Sequence, residues 1–415
     1  MHTKKQWVFI IAVVINAGLL VFFKYSNFFS NLLFDGLNFL NGRFAHSGEL
    51  YKNDLLIKII APLGISYIIF QAIGYLIDVK NGNQLAEKNI GYFTTYILFF
   101  PKLIAGPVEK ESLFLPQISK APVFRYDDIS VGLKRVIWGL FKKLVIADRL
   151  SIYVNAVYNN FEHHSGATLA IAAFFYTFQL YADFSGYTDM ALGFAKMLGF
   201  DLMENFNRPF LAKSVTEFWR RFHMSLSSWF NEYFYTPLSI AKRDWGKWGA
   251  VYSLFITFII LGFWHGANWT FIIFGILQGC ILSIEFFTRS MRKTVRKRIP
   301  AFLNTIAGIV FTISYYTFSL IFFRSGSVMD ALHYIKRLFS SRGSVFIENP
   351  SIMLFSLMGI FFLAIVECKK EYWNELFTLS NNRNWIVRNC YYCFLLLVIL
   401  IAGVFDGGEF IYFQF

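Results

Sequence analysis

Two histidines stand in stretches otherwise built for an apolar interior, and they define the chemistry open to this chain. His265 lies in LGFWHGANW (261–269), between the apolar runs AVYSLFITFII and TFIIFGILQG. His223 lies in SVTEFWRRFHMSLSSWF (214–230), where Trp219, His223, Leu226 and Phe230 recur at intervals of three or four and so share one face of a helix. An imidazole titrates closer to neutral pH than any other side chain and can take a proton from a hydroxyl. One histidine on an apolar stripe is more often a hydrogen-bonded core residue than a catalyst, but two of the chain's seven in such settings point to a joint site. Asp183, Ser185 and Asp189, in YADFSGYTDMALGF, add polar groups to an aromatic setting. Carboxylates at membrane depth face a cavity or a cationic partner, so both aspartates are expected to anchor helix ends or to pair with cations such as Arg208, Arg220 or Arg221.

The elements that hold these residues follow from local pattern. A helix is predicted from Ser214, because Ser214 and Glu217 have capping-box spacing, and Glu217 and Arg221 stand one turn apart on it. The solvent is predicted to be a bilayer: 56% of the 415 residues are apolar and 51 are Phe, beyond the range of soluble domains. Crossing the hydrocarbon takes roughly 20 apolar residues. Candidate spans read at 7–23, 55–77, 90–108, 134–158, 167–182, 249–263, 270–287, 301–323, 351–366 and 389–405. In IIAPLGISYIIF, Pro62 and Gly64 predict a broken or re-entrant helix, which is tolerated only where protein or a water-filled cavity completes its hydrogen bonds. The stretch 7–23 reads as an anchor, since no small-residue cleavage site follows it.

The formal charge of +13 is carried in short loops beside apolar spans, the pattern of positive-inside bias and not of nucleic-acid binding. The strongest cluster, TRSMRKTVRKR (288–298), predicts a cytoplasmic loop, which puts His265 in the outer half of the hairpin 249–263/270–287. Trp264 and Trp269 are read as interfacial anchors. Cys280, Cys368, Cys390 and Cys393 do not form a disulfide framework, and the C-x-x-C of NCYYCF lacks two further ligands for zinc, so no metal is expected. A Gly-rich phosphate loop ending in Lys-Ser/Thr and a G-x-S-x-G elbow are both absent, which argues against a nucleotide-driven pump and a serine hydrolase.

Nearly the whole chain resembles the membrane-bound O-acyltransferase (MBOAT) superfamily, in the branch that includes the alginate O-acetylation membrane subunit and relatives acting on peptidoglycan and cellulose. The resemblance is carried by PLGISYIIFQAIGYLIDV, FFPKLIAGPVEK, GLFKKLVIADRL, YADFSGYTDMALGFAKMLGF, ENFNRPFLAKSVTEFWRRFHMSLSSWF, LGFWHGANWTFIIFGILQG and EFIYFQF, in that order. It implies an all-α ring of membrane helices with broken segments around a central tunnel, formed by residues 1–415 as one domain with its catalytic core in 174–280. It further implies His265 of the WHG motif as the catalytic residue and His223 as its companion. Two departures stand out: the chain opens where family members already have several apolar segments behind them, and TPLSIAKRDWGKW lacks the paired glycines that often follow its Pro-Leu.

The implied reaction is O-acetylation, with acetyl-CoA as a cytoplasmic thioester donor, no bound cofactor, and a polysaccharide acceptor reached through a secreted or membrane-anchored transferase partner. Asn268 is expected to orient His265 or to stabilise an oxyanion if that stretch is helical. Asp183, Asp189, Trp219 and Arg220 are expected to support the tunnel. A neighbouring branch of the resemblance implies D-alanyl transfer from a carrier protein to teichoic acid instead. A transporter of envelope precursors would require matched broken helices in two repeats, and no repeat is seen.

Overall fold

In the computed structural model, residues 2–41, 62–120, 123–373, 384–406 and 410–411 are described, and every regular element among them is helical. Residues 55–61 of the second predicted span and most of EFIYFQF lie outside the described residues. The N-terminal third comprises α1 (His2–Leu40), α2 (Ile65–Asn81), α3 (Ile90–Leu98), α4 (Glu111–Ser119) and α5 (Tyr126–Leu140). A wide π-type turn over Phe141–Ala147 leads from α5 into α6 (Asp148–Tyr158), followed by the 32-residue α7 (Gly166–Met197). Three short helices come next, α8 (Val215–Trp219), α9 (Met224–Phe230) and α10 (Thr236–Ala241), and then the hairpin of α11 (Lys247–His265) and α12 (Trp269–Phe287). The chain continues through α13 (Arg289–Arg296), α14 (Ala301–Arg324), α15 (Val328–Ser340), α16 (Pro350–Tyr372) and α17 (Trp385–Ala402).

Six of these helices, α1, α11, α12, α14, α16 and α17, have the length and apolar character to cross a bilayer, as an all-α polytopic architecture requires. The expected helix ends at 249–263, 270–287 and 301–323 lie within two residues of those found. The expected span 90–108 is not one helix. It stops at Leu98, and Pro101 sits in a single 3-10 turn beyond it, because proline offers no N–H to continue the ladder. The break foreseen at Pro62 and Gly64 is where α2 begins, with Gly64 in the left-handed region at φ 75°. The run 167–182 extends to Met197, and α7 is buried along most of its length because other helices pack around it.

The core of the molecule is the crossing of α5 and α7. A Cβ on Gly139 would come within 2.6 Å of the Gly186 carbonyl oxygen, so the two backbones touch where neither has a side chain. That proximity sets the polar pairs across the crossing. Asp189 meets Lys142 at 2.5 Å and Arg135 at 2.9 Å, and Asp183 meets Lys143 at 2.7 Å. Both aspartates are therefore ion-paired, but with cations of 135–143 and not with Arg208, Arg220 or Arg221 as expected. Arg208 and Arg221 instead converge on Glu371 at 3.0 and 2.9 Å, while Arg221 also makes the expected one-turn pair with Glu217 at 2.7 Å.

Candidate active site

The single amphipathic helix expected over 214–230 is two helices. Ser214 caps α8, its Oγ accepting from the Glu217 N–H as the spacing predicts, and Glu285 on α12 accepts the Val215 and Thr216 N–H groups at 3.1 and 2.8 Å. The helix then stops, and His223 takes φ 49°. A left-handed non-glycine residue costs on the order of 1–3 kcal/mol unless its surroundings fix it. Here they do: the Asn207 N–H donates to the Arg221 carbonyl at 2.8 Å, the Met224 N–H donates to the Asn205 carbonyl at 2.9 Å, and α9 restarts at Met224. The ENFNRPF segment thus clamps both sides of His223.

The clamp also fixes the imidazole. Asn205 is fully buried, and its Oδ1 accepts from the Ser225 N–H at 3.1 Å and the Ser225 hydroxyl at 2.9 Å. A backbone N–H can only donate, so the atom facing His223 is the amide oxygen and not the nitrogen. The His223 Nδ1, 3.2 Å away, must then carry a hydrogen, which leaves Nε2 with the lone pair in the neutral ring. Phe184 meets the ring edge-on at 4.6 Å. Sequence reading missed Asn205; its signal is the ENFNRPF motif itself, an Asn among aromatics with no pattern of its own to mark it.

His265 is the last residue of α11 and is buried, with Phe323 edge-on at 5.1 Å and Phe274 at 6.1 Å. Gly266 is extended, so the helix does not pass through the WHGAN turn. The helical spacing that would set Asn268 one turn from His265 is absent. Asn268 caps α12, accepting from the Thr270 N–H at 3.1 Å and donating to the Gly326 carbonyl at 2.8 Å. Trp264 is not an interfacial anchor: its indole is buried, stacks on Phe70 at 5.2 Å, and lies 4.9 Å from the His265 ring and 6.4 Å from the His223 ring. One indole therefore bridges the two histidines. Trp269, by contrast, is exposed. Lys24 of α1 was also missed; its ammonium donates to the Trp264 carbonyl at 2.5 Å, and Tyr25 donates to the Phe263 carbonyl at 3.0 Å, which satisfies acceptors at the end of α11.

A cavity of about 1120 Å³ borders the segments that carry the pair, although neither histidine is among its lining residues. Its inner wall includes Met224, next to His223, and Leu261, one helical turn before His265. Its mouth carries Arg289, Arg292, Lys293 and Arg296 of α13 and Lys297 just after it, and exposed Arg220 lies on its wall. Trp219 also lines it, with its indole N–H held by Gln278 Oε1 at 3.1 Å. Asp183 and Asp189 are outside this cavity. Among the described residues, no group of three His, Cys, Asp or Glu side chains is assembled as for a metal, and Cys390 and Cys393 are exposed thiols.

Residues 83–325 match the sequence model of MBOAT, the membrane-bound O-acyltransferase family. A peptidoglycan O-acetyltransferase of Helicobacter pylori is 30% identical over 460 aligned positions, covering 99% of this chain and 83% of that protein. The probable alginate O-acetylase AlgI of Pseudomonas putida is 37% identical over 281 residues, 68% of this chain and 55% of the relative. The chain spans about half the length of the alginate relatives it matches. A teichoic acid D-alanyltransferase of Bacillus subtilis is 28% identical over 273 residues, 64% of this chain and 69% of the relative. With both histidines inside the matched residues and the six apolar helices of a multi-pass membrane protein, the chain belongs to the membrane-bound O-acyltransferase family.

Proposed function

We propose that this protein is a membrane O-acetyltransferase that takes acetyl groups from cytoplasmic acetyl-CoA and delivers them to a hydroxyl of a cell-envelope or secreted polysaccharide on the other side of the membrane. The observation that carries the reading is the cavity that has the α13 cations at its mouth and Met224, the neighbour of His223, and Leu261, one helical turn before His265, in its lining. Phosphates of a coenzyme A donor match a cluster of Arg and Lys at the mouth, and the apolar interior suits the pantetheine arm. Positive-inside bias assigns the α13 end to the cytoplasm. The catalytic core is residues 174–280, and a secreted or membrane-anchored transferase partner completes delivery to the polymer.

In the reaction, His265 takes the hydroxyl proton as that oxygen attacks the thioester carbonyl. A C–O bond forms, the C–S bond breaks, and the departing thiolate recovers the proton from the imidazolium. His223, with its lone pair on Nε2, orients or gates the donor across the Trp264 indole. Asn268 acts through the hairpin turn that it closes. Asp183 and Asp189 act by holding α7 against α5, and Trp219 and Arg220 line the donor path.

A second reading, D-alanyl transfer from a carrier protein to teichoic acid, draws on the same basic mouth, which suits an acidic carrier with a phosphopantetheine arm, and on the D-alanyltransferase relative. The first is preferred because the alginate relatives share more identity with this chain than the D-alanyltransferases do, and the peptidoglycan relative aligns over more of it. The test is coenzyme A release by purified protein with partner and acceptor present. His265→Ala should elute like the parent, retain donor binding and lose on the order of a hundredfold or more in rate. His223→Ala should lose less. A well-folded His265→Ala protein working at the parent rate would falsify the assignment, and envelope polymers that lose D-alanyl but keep O-acetyl esters on deletion would select the second reading.

A further inference from the structure

A second cavity, of about 820 Å³, lies between α5, α7, α16 and α17. Met224 is the one residue that its lining shares with the donor cavity. Six cationic and three acidic side chains line it, an excess of three positive charges. Its acids are already engaged. Asp189 is held by Lys142 and Arg135, Glu204 takes both guanidinium nitrogens of Arg135 at 2.7 and 2.5 Å, and Glu367 accepts from the Tyr181 hydroxyl. Lys134 and Lys370, by contrast, make no ion pair among the described residues. Their ammonium groups stand 5.8 Å from the Tyr392 ring and 5.9 Å from the Trp138 ring.

The cavity therefore offers two ammonium groups that make no ion pair among the described residues, Lys370 within the field of Glu367, beside an aromatic wall of Trp138, Tyr391 and Tyr392. Two of its walls, α16 and α17, are helices long and apolar enough to cross a bilayer. Further along α17 from Tyr391 and Tyr392, Phe394 and Leu397 are exposed, as lipid-facing side chains are. Lys370 lies near the C-terminal end of α16, and Arg388 near the N-terminal end of α17. Glu371, beside Lys370, is tied to Arg221 and hence to the end of the molecule that carries the donor mouth. A basic pocket between membrane helices at the positively charged end, with aromatic side chains at its rim, has the chemistry that holds an anionic lipid head group.

We propose that this cavity binds the phosphate head group of an anionic phospholipid, with Lys134 and Lys370 on the phosphate and the acyl chains running along α17. The site is separate from the acyl-transfer reading, since its lining shares only Met224 with that of the donor cavity. Because Met224 borders both cavities, an occupied head-group site would also brace the wall next to His223.

The probes are phosphatidylglycerol, phosphatidylcholine and glycerol phosphate, added to the purified full chain in neutral detergent. Retention is read by native mass spectrometry. The parent and a Lys293→Gln/Lys297→Gln control in the donor mouth should retain phosphatidylglycerol over phosphatidylcholine. Lys134→Gln/Lys370→Gln should bind phosphatidylglycerol about tenfold more weakly or worse, since each basic residue near a membrane surface contributes substantially to anionic-lipid affinity. Equal retention by the parent and the Lys134/Lys370 variant overturns the proposal. So does displacement by glycerol phosphate as effective as that by unlabelled lipid, which would reassign the cavity to a soluble phosphate. A second readout does not depend on the double variant folding: brominated phosphatidylglycerol should quench the parent's fluorescence more than that of Trp138→Phe, with no such difference for brominated phosphatidylcholine. Equal differences for the two lipids count against the site.

Discussion

The amide oxygen of Asn205 lies 3.2 Å from Nδ1 of His223, and the two residues are 18 apart in a stretch that also contains a left-handed backbone break. Asn205 is thus the residue that selects the His223 tautomer. Removing its side chain in Asn205→Ala leaves a buried ring N–H and the buried Ser225 donors without that acceptor, a loss of about 1–3 kcal/mol in stability. Transfer activity should fall with it. Asn205→Asp keeps an acceptor and should preserve most of the fold. Thermal melting in detergent together with coenzyme A release checks both variants, and an unchanged melting point in Asn205→Ala would remove Asn205 from the site.

The donor mouth makes a kinetic prediction. Reversing Lys293 and Lys297 to Glu should raise the donor KM by about tenfold while leaving kcat nearly unchanged, because these residues attract charge at a distance from the reacting atoms. The difference from the parent should shrink as salt is added, since the Debye length falls to roughly 3 Å at 1 M. A salt-independent effect, or one confined to kcat, would show that the mouth does not act by attracting an anionic donor.

The glycine contact between α5 and α7 predicts a packing defect. Gly139→Val would drive a branched side chain into the Gly186 carbonyl, where even a Cβ meets oxygen at 2.6 Å. Overpacking of this kind costs about 1–3 kcal/mol or more. Gly18→Val, at a position with nothing within 4 Å, is the control and should purify like the parent. Equal yield and melting point for the two variants would contradict the close crossing.

The ion pair across the same crossing can be tested by a double-mutant cycle. Lys143→Met leaves Asp183 and Asp148 without their ammonium partner and should destabilise by about 3–5 kcal/mol. Adding Asp183→Leu should recover part of that loss, because it removes one of the buried charges left behind. Strictly additive losses would mean that the two side chains do not interact.

The sequence alone determined the bilayer as solvent, the ends of the α11–α12 hairpin and α14, the Ser214 cap and the Glu217–Arg221 pair. Each depends on residues within a helix or a turn of one another, or on the simple length of an apolar run. The two histidines were legible for a related reason: a polar ring in such a run has no local partner to account for it. Tertiary structure decided the rest. The aspartates pair with Lys142, Lys143 and Arg135 because two glycines let α5 and α7 approach until those side chains meet, and nothing in the sequence near Asp183 announces that approach. Trp264 is buried and not interfacial because α2 supplies Phe70 to cover it. The helix through His223 breaks because pairing with 205–207 fixes a backbone conformation that local propensity disfavours. Periodicity records which face of a helix is apolar; which neighbour covers that face depends on contacts between residues far apart in the chain, and only the folded arrangement supplies them.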